Sequence, residues 1–242
     1  MPLQPLCENE RIVGTLFSTA RAAYSRFTPR FIRESQVVAR MKSWIPHDLM
    51  YDEAYYAIQV DPPALEAASV MGGAIVRELK PRNLIDVGCG TGALLSVLRD
   101  LGCTVSGLEY AEAGLKLCRS RNLNVRKFDL ENDSPEGTGS YDLAISMEVA
   151  EHLPERCADR FVDLLSSLAP VVVFTAAYPG QGGADHVNEQ PHSYWIAKFE
   201  ERGLRLDAPL SDRWRGEWQA KGIALWYWKN IMVFRRESGS PR

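Results

Sequence analysis

The chain has 242 residues, 45% of them hydrophobic, which is enough for one sizeable core with or without an appended segment. Its 28 Lys and Arg against 31 Asp and Glu leave a net charge of −3, so bulk charge gives no argument for a nucleic-acid partner. No apolar run approaches the length of about 18 residues that a membrane-spanning helix needs, and the first thirty residues lack the compact apolar core of a secretion signal. Five cysteines with no CxxC or Cys/His spacing read as reduced thiols of a cytoplasmic protein rather than as disulfides or a zinc site.

In chain order, residues 1–62 form a leader that ends at Asp61-Pro62-Pro63. Up to residue 42 it carries six Arg and one Lys against three Glu. The spacing of Ile12, Leu16, Ala20, Ala23 and Phe27 suits an amphipathic helix. The simple reading is a helical cap with a solvated basic face; the sharper one is peripheral contact with an anionic membrane. Tyr55 and Tyr56 either pack the leader onto the next domain or cover a ligand.

Residues 63–236 form the main domain. Leu65–Leu79 reads as a helix, and Asn83–Val87 as a short apolar strand. Helix Ala93–Leu101, strand Thr104–Leu108, helix Ala111–Ser120 and strand Val125–Phe128 follow. Tyr141–Met147 is a strand, Glu155–Leu168 a helix, and Val171–Ala176 a wholly apolar strand of the kind buried on both faces. Ser193–Arg202 is a helix and Leu204–Leu206 a short strand. The stretch 208–235 is rich in tryptophan and returns to a last strand, Ile231–Phe234. Trp214, Trp218, Trp226 and Trp228 read as core packing, with stacking on a substrate as the alternative. Residues 237–242 read as a disordered tail. This alternation gives an α/β fold, Rossmann-like and doubly wound, with a mostly parallel sheet.

The segment Asp86-Val87-Gly88-Cys89-Gly90-Thr91-Gly92 leaves a strand and opens a helix. Glycines there let the backbone turn sharply and approach a ligand, with the helix amides facing it. The spacing alone also suits a dinucleotide. Asp86 breaks the tie: a carboxylate before the first glycine repels a pyrophosphate but suits a ligand with an ammonium group, such as S-adenosylmethionine (SAM). Glu109, at the end of the next strand, can accept hydrogen bonds from two ribose hydroxyls. Cys89 reads as a small residue filling a tight turn, with a redox switch as the alternative.

With Gly107-Leu108-Glu109, Phe128-Asp129-Leu130, Tyr141-Asp142-Leu143-Ala144 and Met147-Glu148-Val149-Ala150-Glu151-His152-Leu153 added, residues 64–207 resemble the class I SAM-dependent methyltransferases. The resemblance implies a seven-stranded sheet closed by an antiparallel strand. It implies a cofactor site at Asp86, Gly88, Cys89, Gly90, Gly92, Glu109 and Tyr110. Asp129 would contact the adenine amino group, the backbone of Leu130 a ring nitrogen, and Met147 would flank the methionine part.

Glu148, Glu151 and His152 stand at i, i+3 and i+4, one face of a helical turn, where they could ligate a divalent cation such as Mg. This E-x-x-E-H pattern is similar to the ubiquinone-pathway O-methyltransferases, in which such residues are associated with a metal. The alternative is a helix cap or a pocket histidine without metal. The loop from Tyr178 to Gln190 leaves the C-terminal end of a buried strand, where ligands of doubly wound folds bind. It is similar to a segment of small-molecule and saccharide-pathway methyltransferases. His186 within it and His152 are the two candidate bases, since an imidazole titrates near neutrality.

The expectation is methyl transfer from SAM to a hydroxyl of a small-molecule acceptor, a saccharide or a natural-product intermediate. N-methylation, nicotinamide-dependent oxidoreduction and non-catalytic SAM binding are the alternatives. The Asn/Asp-Pro-Pro-Tyr segment typical of base amino-methylation is absent, so no nucleic acid is expected. The sequence is silent on the oligomeric state.

Overall fold

A computed structural model of the protein describes residues 53–237, apart from Glu136, Thr138 and Ala184. The basic leader and the tail residues 238–242 lie outside the described residues, and with them the amphipathic reading of Ile12 to Phe27. No helix among the described residues is long and apolar enough to cross a membrane.

Seven strands form one sheet: β1 (Asn83–Val87), β2 (Thr104–Glu109), β3 (Val125–Lys127), β4 (Leu143–Met147), β5 (Val171–Thr175), β6 (Leu204–Leu206) and β7 (Met232–Arg236). Their spatial order is β3-β2-β1-β4-β5-β7-β6. The first five run parallel, and β7 is antiparallel to both neighbours. The mostly parallel sheet and its closing antiparallel strand are those expected from the sequence. The strand order reverses between β1 and β4, which opens a crevice beyond their carboxyl ends.

Helix α1 (Asp61–Leu79) begins four residues earlier than the apolar spacing suggests. Pro62 and Pro63 occupy its first turn, where a missing N–H costs nothing and the fixed φ favours the helix. One turn of π-helix, Tyr56–Val60, leads directly into it. The break at Asp61-Pro62-Pro63 is therefore the start of a helix and not a linker. Then come α2 (Ala93–Asp100), α3 (Glu112–Ser120), α4 (Ala158–Leu168) and α5 (His192–Glu200). Residues Glu155–Cys157 form a separate 3₁₀ turn before α4.

The tryptophan-rich stretch holds two helices that the sequence reading missed, α6 (Ala208–Ala220) and α7 (Leu225–Asn230). Asp207 caps α6 by accepting from the Leu210 amide at 3.1 Å, and Pro209 sits in its first turn. That start signal was legible. Trp214 and Trp218 are fully buried and stacked at 5.4 Å, packed with Ile75, Leu84 and Val233 on one face of the sheet. Phe161, Phe174, Trp195 and Phe199 fill the other face. Trp226 is 38% exposed and lies outside the core. Glu237, read as tail, pairs with Arg205 of β6.

Candidate functional site

The glycine loop occupies the crevice. Gly88, Gly90 and Gly92 all have positive φ (76°, 57° and 73°), a region costly for residues with a Cβ. Gly88 and Cys89 donate to the Leu108 carbonyl at 2.8 and 3.1 Å, which ties the loop to β2. A Cβ at Gly90 would meet only Val60, at 3.8 Å, so this glycine faces open space beyond the end of β1.

Two buried carboxylates flank that space. Asp86 is 4% exposed and has no ion-pair partner among the described residues. Its carboxyl is pushed up to about 8, first by burial and then by the charge of Glu109. Glu109 is held in place by the amides of Gly90 (2.7 Å), Tyr110 (2.9 Å) and Ala111 (2.8 Å), and by the Tyr56 hydroxyl (3.2 Å). Burial raises its carboxyl, and these four donors oppose the rise. Tyr56 thus packs the segment before α1 onto the loop. Cys89 lies 3.9 Å, sulfur to sulfur, from Cys118 of α3, and this contact followed by burial drives its thiol up and keeps it protonated.

Asp129 and Leu130 lie just past β3. The Asp129 carboxylate accepts from the Glu131 amide (2.8 Å) and from Asn132 Nδ2 (2.9 Å), so it caps the turn that follows. Leu130 packs against the core, and Met147 ends β4 half-buried. Tyr110 is 37% exposed beside β2, with Lys127 Nζ 5.5 Å from its ring centre.

Beyond β4 the chain departs from the single helical turn expected there. Glu148 has a φ of +54°, and only Ala150–His152 forms a 3₁₀ turn. Glu148, Glu151 and His152 therefore do not share a helix face. The Glu148 carboxylate turns to Gln181 and Asn230. Glu151, His152 and His186 come together instead, with one ligand atom from each within 4.8 Å of the others. Glu151 is fully buried and faces the Glu148 carboxylate, a hydrogen bond that exists only while one of the two carries a proton. Burial, and then the charge of Glu148, hold its carboxyl well above the usual carboxylate range.

The two candidate bases are neighbours, with ring centres 5.0 Å apart and ring planes at 88°. His186 Nδ1 lies 3.0 Å from Glu189 Oε1. Glu189 also accepts from the amides of Gly180 (2.8 Å) and Gly182 (2.7 Å). Burial works to raise the Glu189 carboxyl, but these three donors hold it below its ordinary value, so it stays ionised. Gln181, Glu189 and Asn230 escaped the sequence reading as individual site residues. The carboxylate three residues after His186 was the one local signal for Glu189.

A methyltransferase domain family model matches residues 65–225, and the chain belongs to that family. The ubiquinone biosynthesis O-methyltransferase of Bordetella avium is 32% identical over 102 residues, which span 40% of this chain and 41% of that one. The corresponding enzyme of Acinetobacter baylyi is 32% identical over 84 residues, 32% and 35% of the two chains. The match thus spans well under half the length of these curated relatives. Among solved structures, a SAM-bound amino pentose methyltransferase from Micromonospora echinaspora superposes with a TM-score of 0.53 at 20% identity, over 76% of this chain and 96% of that one. An O-methyltransferase family protein from Burkholderia thailandensis gives 0.58 at 16% identity, over 94% and 72%. These likenesses establish the fold.

Proposed function

We propose that the chain is a SAM-dependent methyltransferase that methylates a hydroxyl of a small molecule, and that His186 takes the hydroxyl proton. The observation that carries this reading is the His186–Glu189 pair beside buried Glu151. The O-methyltransferase relatives support an oxygen acceptor.

The residues fit the cofactor. Buried Asp86 lacks a cation, as a site for the methionine ammonium requires, and Gly90 faces open space. SAM, when bound, supplies an electrophilic methyl group on a sulfonium. Asp86 binds the ammonium, Glu109 accepts the ribose hydroxyls, Asp129 and Leu130 border the adenine, and Met147 borders the methionine part. His186, oriented by ionised Glu189, would accept the hydroxyl proton as the acceptor oxygen bonds to the methyl carbon and the sulfur–methyl bond breaks, its electron pair staying on sulfur as a neutral thioether. His152 buttresses the His186 ring. Most of the gain is positioning of donor and acceptor.

The convergence of Glu151, His152 and His186 supports a second reading of the same cluster. Glu151, His152 and His186 fit a divalent cation, whereas Glu148, already engaged by Gln181 and Asn230, does not. Such an ion would supply Lewis-acid lowering of the hydroxyl pKa. The deciding experiment is a screen of hydroxylated metabolites, sugars and phenols included, with tritiated SAM, with and without EDTA. Transfer that survives EDTA and disappears in His186→Gln is the expected result. Transfer only to amines would overturn the oxygen reading, and loss with EDTA would overturn His186 as the base in favour of the cation.

A further inference from the structure

Asn230, the last residue of α7, is fully buried. It lies far in sequence from every residue of the candidate site. Its carboxamide nitrogen donates to Glu148 Oε1 at 3.1 Å and to Gln181 Oε1 at 2.8 Å. Gln181 Nε2 donates in turn to Glu148 Oε2 at 2.9 Å. The three side chains close a ring in which each bond has a proper donor and acceptor. Asn230 Oδ1 faces His192 Nε2 at 3.4 Å, at the start of α5. Glu148 is fixed from below, because its amide reaches Thr175 Oγ1 at 2.9 Å at the end of β5.

The ring connects to the catalytic loop through Gln181. Its two neighbours, Gly180 and Gly182, donate their amides to Glu189, the residue that holds His186. The loop is therefore gripped twice: the Gln181 side chain is held by Glu148 and Asn230, and the backbone on either side of it is held by Glu189. An isolated loop this rich in glycine would sample many positions. A part-buried ring in which each side-chain bond is made favours one of them.

We propose that Asn230 is a positioning residue for methyl transfer, acting through Gln181 and Glu148 to set the Glu189–His186 pair over the acceptor. It touches neither cofactor nor acceptor. Its mechanistic importance rests on His186 being the base, but the linkage itself is measured without an acceptor.

The test compares the full-length protein with Asn230→Asp and with the swap Glu148→Gln/Asn230→Asp. The single change sets two carboxylates against each other. The swap keeps the charge of the ring and lets the amide at position 148 donate to the carboxylate at 230 while Gln181 Nε2 still donates to position 148; the Gln181 oxygen is left opposite an acceptor, so two of the three bonds return. In Asn230→Asp, amide exchange at Gly180 and Gly182 should quicken about five- to tenfold, as expected for one hydrogen bond lost from a local opening. The downfield Nδ1–H resonance of His186 should be lost; with only four histidines in the chain, single His→Gln variants assign it. The swap should bring both signals part of the way back to their wild-type values, while SAM affinity by calorimetry stays unchanged throughout. Unchanged exchange in the single variant would overturn the proposal, as would a swap that folds without restoring the loop or does not fold. If Asn230→Asp itself fails to fold, recovery in the swap still supports the ring. If His186→Gln keeps full turnover, the base assignment fails while the linkage stands.

Discussion

Gly183 lies flat against His186: a Cβ built on Gly183 would fall 2.2 Å from His186 Nε2 and 2.4 Å from Cε1. No real carbon contact is that short, so a methyl group there must drive the imidazole away from Glu189. Gly183→Ala should lower turnover about 10²-fold or more, the share usual for a positioned base. SAM affinity should be unchanged, because the loop of Gly88 to Gly92 is elsewhere. Turnover at the wild-type rate would show that the ring of His186 is not used where it stands.

Asp86 makes a pH prediction with a definite sign. Its carboxyl is raised to about 8 in the unliganded protein, so at pH 7 most molecules carry it protonated. Binding a cation favours the ionised form and releases that proton. SAM affinity should rise as pH increases from 6 toward 8, by up to about tenfold per unit. Above pH 8 it should stop rising, since the ligand's own amino group, with a usual value of about 8, begins to lose its charge. Calorimetry at pH 7 in buffers of different ionisation enthalpy should report a proton released per SAM bound. Asp86→Asn should bind more weakly and without this release. Equal affinity of the wild type at pH 6 and pH 8 would sink the assignment of Asp86 to the ammonium.

The glycine loop and its carboxylates, the candidate cofactor half of the site, could be grouped from the sequence because they are local. A strand, three glycines and the carboxylates Asp86 and Glu109 lie on consecutive elements, and the period of those elements fixes where the side chains go. The acceptor half depends on contacts between distant segments. His186 meets His152 across 34 residues of sequence, and Asn230 meets Glu148 across 82. The helical spacing of Glu148, Glu151 and His152 misled because Glu148 takes a left-handed conformation, which no spacing rule foresees. Helix α6 escaped for another reason: its inward face is built on Trp214 and Trp218, with Arg215, Gly216 and Glu217 between them, so apolar periodicity was weak although the Asp207 cap and Pro209 were plain.

Gly88 pairs with Val149 in the same sense as Gly183 with His186. A Cβ at Gly88 would come within 2.5 Å of Val149 Cγ2, on a backbone with φ of +76°. Gly88→Ala should therefore carry both a clash and a conformational cost of about 1–2 kcal/mol. Adding Val149→Ala removes the clash and leaves the conformational cost. The double variant should recover part of the SAM affinity and thermal stability lost by the single one. Full recovery would show that φ at Gly88 carries no penalty, and no recovery that Val149 is not the obstacle.

Glu151 should be a liability to the empty protein. Its carboxyl is fully buried against a second carboxylate, Glu148, and a buried polar group so poorly satisfied costs about 1–3 kcal/mol, more when charged. Glu151→Met replaces it with an apolar side chain of similar length. Stability should rise by about 1–3 kcal/mol at pH 7. The pH dependence supplies a second check. The carboxyl is raised in the folded chain, so the folded state keeps a proton that the unfolded state gives up. Its favourable contribution is complete below the ordinary carboxylate range and is lost as pH rises toward the folded value. The wild type should therefore lose stability relative to Glu151→Met between about pH 4 and neutrality, with the two curves converging at low pH. Chemical denaturation at pH 4, 5.5 and 7 measures the gap directly. A variant less stable than wild type at every pH would mean that Glu151 holds the fold rather than awaiting a ligand.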